Sequence, residues 1–204
     1  GAKIINMSFG KDPDADLIKK WKAAKTALEK DDLADKMMDQ MLPVIDEYKA
    51  VLDRAQREGV ILVEACGNED IPARFDPLSF SGRIVSVAAT TIDDGRYEMS
   101  NYGEYTSVSA PGKHIYSGIS DPSKKYDGGY SGTSMAAPHV SGVVAMMKTL
   151  DPDLMLGEVL DILIETGTPL TTDKPIGPLV NAKAALEEVL KRKGSTAPPK
   201  KPAE

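Results

Sequence analysis

Four short apolar runs that do not alternate with polar residues constrain the fold most strongly. Lys3–Phe9, Val60–Ala65, Arg83–Thr90 and Thr106–Ala110 each read as strands, and Gly10, Gly67-Asn68 and Pro111-Gly112 supply turn signals behind them. A strand that is apolar on both faces needs cover on both faces. Helical segments separate the runs, so the pattern predicts a parallel α/β sheet between helical layers. Asp14–Glu58 is charged and carries two apolar stripes. Leu17, Trp21, Ala24 and Leu28 form one; Met37/Met38, Met41/Leu42, Ile45, Tyr48 and Leu52 form the other. Asp31-Asp32 marks the expected break between two surface helices, and Pro43 is expected to end or kink the second. Ser134–Leu150, Met155–Glu165 and Val180–Lys193 predict three more helices, with Asp127–Gly132 a glycine-rich turn before them. The tail from Gly194 has no apolar periodicity and is expected to be disordered.

Composition narrows the functional classes. A length of 204 residues suits one single-core domain. With 31 acidic and 25 basic residues the net charge is −6, so no basic surplus exists to bind phosphates and nucleic acid is not an expected partner. The single cysteine, Cys66, excludes an internal disulfide and a thiolate metal cluster. No apolar run approaches the roughly 20 residues of a membrane helix. The opening GAKIINMSFG has no basic segment before its apolar run, so no targeting segment is expected there. Opening directly on a strand suggests a piece of something longer. Asp93-Asp94 reads as a turn, and neither a metal nor a cofactor is expected.

Chemistry concentrates in Gly128–His139, GGYSGTSMAAPH. Ser134 follows flexible glycines and opens a helix, where the positive end of the helix dipole stabilises a developing oxyanion. The ordinary reading is that Thr133 or Ser134 is simply an N-cap. A nucleophile elbow, G-x-S-x-G, does not match, because Ala136 stands where the second glycine belongs. His139 lies five residues on, a rotation of about 500°, which leaves the two side chains roughly 140° apart and about 7.5 Å apart along the axis. His139 cannot be the base for Ser134. Gly67-Asn68 projects an amide beyond the carboxyl edge of the sheet, where it can donate to an oxyanion at any pH. Its ordinary reading is a turn asparagine in a left-handed conformation.

Taken together, these residues resemble one family. Ser131–Gly142, SGTSMAAPHVSG, is similar to the serine motif of the subtilisin-like serine proteases. Ile4–Gly10 resembles that family's substrate-lining INMSLG strand, and Val60–Asn68 the strand that delivers its oxyanion-hole asparagine. Ser100-Asn101-Tyr102-Gly103 through Ala110-Pro111-Gly112 is similar to its SNYG…APG run, and Leu179–Ala182 to its closing VNA helix. The resemblance implies the three-layer subtilisin-like fold with peptide or protein substrates. Ser134 is implied as the nucleophile, and the Asn68 side chain with the Ser134 N–H as the oxyanion hole. Loss of such an asparagine costs about 10²–10³ in turnover, as measured in subtilisin itself. Ser8, Phe9 and Gly10 are implied as one edge of the first specificity pocket, and Glu64, Ala65 and Gly67 as the other. Both edges would pair with substrate backbone as added strands. Thr133 is grouped with these substrate-binding positions, and Glu69 at the rim is expected to favour basic side chains.

Two departures stand beside the match. The family's Asp-containing D-[ST]-G strand and His-containing H-G-T-H-V helix precede the strand at Ile4 and are absent from this chain. His114, beside Pro111-Gly112, falls where the family has a surface turn. The expectation is therefore the C-terminal part of a peptidase domain, 1–193, inactive without its N-terminal partner half. In subtilisin, loss of the base costs roughly 10⁶ in turnover. The second departure is a helical insertion over 11–57, readable as a lid, a docking surface or decoration. A secreted or cell-envelope location follows from family analogy. The competing reading is a non-catalytic binding or structural module on the same scaffold.

Overall fold

A computed structural model of the chain describes residues 1–9, 13–120, 123–124 and 126–195. Four strands, β1 (Ile4–Met7), β2 (Ile61–Ala65), β3 (Val85–Thr90) and β4 (Val108–Pro111), form one parallel sheet in the order β1-β2-β3-β4. Ile4 sits opposite Ile61, Val63 opposite Val85, and Val87 opposite Val108. β2 and β3 are buried along their whole length, as continuous apolar runs require.

Period-2 geometry sends alternate residues to opposite layers. Ile61, Val63 and Ala65, with Val85, Val87 and Ala89, face a helical layer that includes Ala137, Val140, Val144 and Met147 of the long helix Thr133–Leu150. The helices Leu156–Thr166 and Ala182–Ser195 complete that core through Ile162, Leu163, Ala185 and Val189. On the other face Leu62 and Ile84 pack against Leu52. The short helix Pro77–Ser81 is tied to the same face by a buried 2.7 Å bond between the Ser79 and Ser86 hydroxyls.

In chain order the helices are α1 (Ala15–Ala23), α2 (Ala27–Arg57), α3 (Pro77–Ser81), α4 (Thr133–Leu150), α5 (Leu156–Thr166) and α6 (Ala182–Ser195). The break between α1 and α2 falls at Ala24–Thr26, and Asp31-Asp32 lies inside α2. A capping box decides this. Thr26 Oγ1 accepts from the Glu29 N–H at 3.2 Å, while the Glu29 carboxylate accepts from the Lys25 and Thr26 N–H groups. Helix α2 also runs through Pro43 without interruption. Packing on both sides of the proline holds it: Met37 and Met41 sit in one apolar cluster, Leu52 in another. The expected stripes shift accordingly, because Leu28, Leu42 and Tyr48 are exposed and Val44 is buried. Trp21 of α1 meets Phe75 edge-to-face with centroids 6.1 Å apart, so the inserted helices share a core with the loop beyond β2.

Two further expectations change. The Lys3–Phe9 run is an edge strand only half covered: Ile5 is 43% and Phe9 69% exposed, because among the described residues β1 has a partner strand on one side only. The Gly-rich segment before α4 is a strand, β6 (Tyr126–Tyr130), paired antiparallel with β5 (Ile115–Gly118). α6 extends through Ser195, past the Gly194 at which the tail was expected to begin. Residues 196–204 and the candidate Gly10 lie outside the described residues.

Candidate active site

The carboxyl ends of β1 and β2 and the first turn of α4 converge on one cleft. Gly132 occupies the N-cap position of α4 at φ +150°, so neither Thr133 nor Ser134 is the cap; Thr133 is the first helical residue and Ser134 the second. A side chain is excluded at Gly132 by conformation, and a Cβ there would sit 3.3 Å from Asn68 Oδ1. Asn68 Oδ1 accepts from the Thr133 N–H at 2.8 Å and from the Thr133 hydroxyl at 3.2 Å. With the oxygen so engaged, the amide nitrogen is the end left to donate. The Ser134 N–H belongs to the first turn of α4 and has no acceptor within the helix.

Ser134 is clamped to β1 by two reciprocal bonds. Its hydroxyl donates to the Ser8 carbonyl at 3.2 Å, and the Ser8 hydroxyl donates to the Ser134 carbonyl at 3.0 Å. That second bond is possible because Pro138, four residues on, lacks the N–H that would otherwise claim the Ser134 carbonyl. Asn6 extends the clamp, donating to Ser8 Oγ at 2.9 Å and accepting from Ser141 Oγ at 2.9 Å. Neither histidine joins it. His139 Nδ1 lies 2.8 Å from the Met135 carbonyl, and exposed His114, at φ +56°, donates its backbone N–H to Ser131 Oγ.

The loop after β2 is held by Asn101, from the SNYG run. Its Oδ1 accepts from the N–H groups of Glu69 and Ile71, and its Nδ2 donates to the Cys66 carbonyl and to Glu69. The Glu69 carboxylate accepts the Asn68 N–H at 2.8 Å, fixing the oxyanion-hole candidate from behind. The left-handed residue of this turn is Gly67, at φ +104°, not Asn68. A Cβ on Gly67 would lie 2.3 Å from Asn101 Nδ2. Farther out, the buried Arg96 guanidinium pairs with Asp70 at 3.1 Å and Asp173 at 2.9 Å, anchoring the same loop. Burial pushes the Cys66 thiol well above its usual range, so it is no nucleophile.

A pocket of about 150 Å³ is lined by Ser8, Phe9, Ala65, Gly67, Asn68, Glu69, Asp76, Thr133 and Ser134. The fold thus brings together eight of the ten sequence-selected positions. Gly10 is not described, and the Glu64 side chain turns to the α2/α3 face of the sheet, fully buried, because it shares Leu62's period-2 position. Sequence reasoning passed over Asn6, Asp76, Asn101 and Ser141. The SNYG run contained Asn101, but its role emerges only once residues 66–71 fold against it. Among the described residues no group of three or more His, Cys, Asp and Glu side chains could hold a metal ion. Among the described residues no helix is long and apolar enough to cross a membrane.

The profile of the Subtilase family matches residues 1–187. The chain belongs to that family. It is 37% identical over 155 residues to an extracellular basic protease of Dichelobacter nodosus, covering 69% of this chain and 25% of that protein. It is 35% identical over 141 residues to the major intracellular serine protease of Bacillus subtilis (strain 168), covering 65% of this chain and 43% of that one. Among solved structures, a Pseudoalteromonas arctica protease superposes with a TM-score of 0.68 at 26% identity, covering 92% of this chain and 51% of that chain. This subtilase chain therefore has a partial subtilisin-like α/β fold and spans less than half the length of these curated relatives.

Proposed function

We propose that this chain is the nucleophile-bearing part of a serine endopeptidase domain, spanning residues 1–193 with 11–57 as a helical insertion. The arrangement of Ser134 and Asn68 carries the reading. A hydroxyl at the N-terminus of α4 shares one cleft with an amide whose oxygen is bound to Thr133. Ser134 Oγ would attack a peptide carbonyl, and the Asn68 amide and Ser134 N–H would receive the charge that develops on its oxygen. Ser8 to Gly10 and Glu64 to Gly67 would take the substrate backbone between them as an added strand, with Thr133 and Glu69 beside it.

The base and its carboxylate come from outside this sequence. Here the Ser134 hydroxyl donates its hydrogen bond to the Ser8 carbonyl, not to an imidazole. The part that supplies them docks on the open edge of β1, next to the nucleophile. Natural substrates are peptides or proteins. A secreted or cell-envelope location is the extension by analogy from the extracellular Dichelobacter relative; the Bacillus relative is named as intracellular.

A fluorophosphonate probe tests the assignment. A protein containing this chain together with the upstream part should be labelled at Ser134 and should lose labelling in Ser134→Ala. The 204-residue chain alone should stay unlabelled. Absence of labelling in the longer protein would favour a binding module on a subtilase scaffold.

A further inference from the structure

We propose that Asn6 and Ser141 are positioning residues for the nucleophile. They set where α4 sits on β1 and hence where Ser134 stands in the cleft, a role that rests on the protease reading of Ser134. Neither touches the reacting atoms; both act through Ser8. The Ser141 hydroxyl donates to Asn6 Oδ1 at 2.9 Å, and Asn6 Nδ2 donates to Ser8 Oγ at 2.9 Å. The Ser8 hydroxyl then donates to the Ser134 carbonyl at 3.0 Å.

Spacing turns this series of bonds into two ties between helix and strand. Ser134 and Ser141 lie roughly two turns apart on one side of α4. Asn6 and Ser8 alternate along the edge strand, so their side chains share a face. A single tie would leave α4 free to swing about it, whereas two fix its angle as well. The apolar contact supplies no such constraint. α4 meets the sheet through Ala136, Ala137, Val140 and Val144, whose burial has no preferred direction. Pro138 decides which way the bonds run. A hydroxyl has one proton to give. If the Asn6 amide were reversed, its oxygen would take the Ser8 proton from the Ser134 carbonyl, and Pro138 offers that carbonyl no N–H in exchange. Ser141 holds the amide the right way round by donating to its oxygen. Asn6 and Ser8 are exposed in this chain, and an upstream part docked on the open edge of β1 would keep water from the ties and strengthen them.

Two measurements test the role. In a protein containing this chain together with the upstream part, fluorophosphonate labelling of Ser134 should slow about tenfold or more in Asn6→Ala and in Ser141→Ala. A misplacement of about 1 Å can cost on the order of a hundredfold. The double variant should be no slower than Asn6→Ala, because both changes cut one linkage. Ser141→Thr keeps the hydroxyl and should restore the rate. In the 204-residue chain alone, Asn6→Asp keeps the shape but offers only acceptors, so it draws the Ser8 proton away. The ¹³C resonance of the Ser134 carbonyl should then move upfield, as in Ser8→Ala. Wild-type labelling rates in both alanine variants, a loss as large in Ser141→Thr as in Ser141→Ala, or an unmoved resonance in Asn6→Asp would overturn the assignment. Absence of labelling in the longer wild-type protein would overturn the protease reading itself, with the carbonyl resonance still deciding whether the linkage exists.

Discussion

Pro138 illustrates how single residues set this site. Its missing N–H leaves the Ser134 carbonyl to Ser8, so a defect in α4 becomes the link between nucleophile and edge strand. Glu64 carries the residue-scale prediction. Its carboxyl titrates near 4.5 when unfolded and near 10 when folded. Below pH 4.5 both states are protonated and the contribution to stability is complete. Above it the unfolded chain releases a proton that the fold retains, so stability falls with rising pH until about 10, by at most ~1.4 kcal/mol per unit. Glu64→Gln should flatten the stability profile between pH 5 and 9 and raise stability at pH 8, with near parity at pH 4. Urea unfolding across that range checks it; parallel profiles for the two proteins would refute it. Ser134 and Asn68 were legible in the sequence because their motifs are local strings. Asp76 was not, since its place in the pocket depends on where α3 lands over β2.

At the scale of elements, α2 shows packing overriding local preference. Pro43 removes one helical hydrogen bond, and proline is about 3 kcal/mol less favourable than alanine inside a helix. The buried Met37 and Met41 before it and Leu52 after it keep the helix whole. Pro43→Ala should therefore stabilise the chain by about 1–3 kcal/mol, seen as a higher urea midpoint at unchanged slope. An unchanged or lowered midpoint would mean that the proline is accommodated by strain elsewhere in α2. Strand positions were read within one or two residues, because β2 and β3 are mostly apolar runs buried on both faces. The hairpin β5–β6 was missed: its Gly-rich strand carries no apolar period, and its pairing with β5 is set by the tertiary fold.

For the molecule as a whole, the exposed flank of β1 is the main feature. Ile5 and Phe9 lie beside Tyr48 and Val51 of α2 in an apolar groove of about 330 Å³. If the catalytic base arrives on this side, Ile5→Lys should weaken assembly with the upstream part. Stability of the isolated chain should stay within about 0.5 kcal/mol, since Ile5 is already 43% exposed. Comparing the melting temperature with recovery of probe labelling on mixing the two parts separates these effects. Full recovery with the variant would place the docking surface elsewhere.

By itself the sequence determined the parallel sheet, the helix that presents Ser134 and the family, because each is written in contiguous residues: apolar runs, a helical period, a twelve-residue string. Only the tertiary structure decided how these pieces become a site. The Ser8–Ser134 clamp joins residues 126 positions apart, and the Asn101 brace reaches back more than thirty. The carboxyls of Glu64 and Asp76 meet only when α3 folds over the sheet. Such contacts depend on which face of an element turns inward and on what packs against it, and that is settled by burial across the whole core.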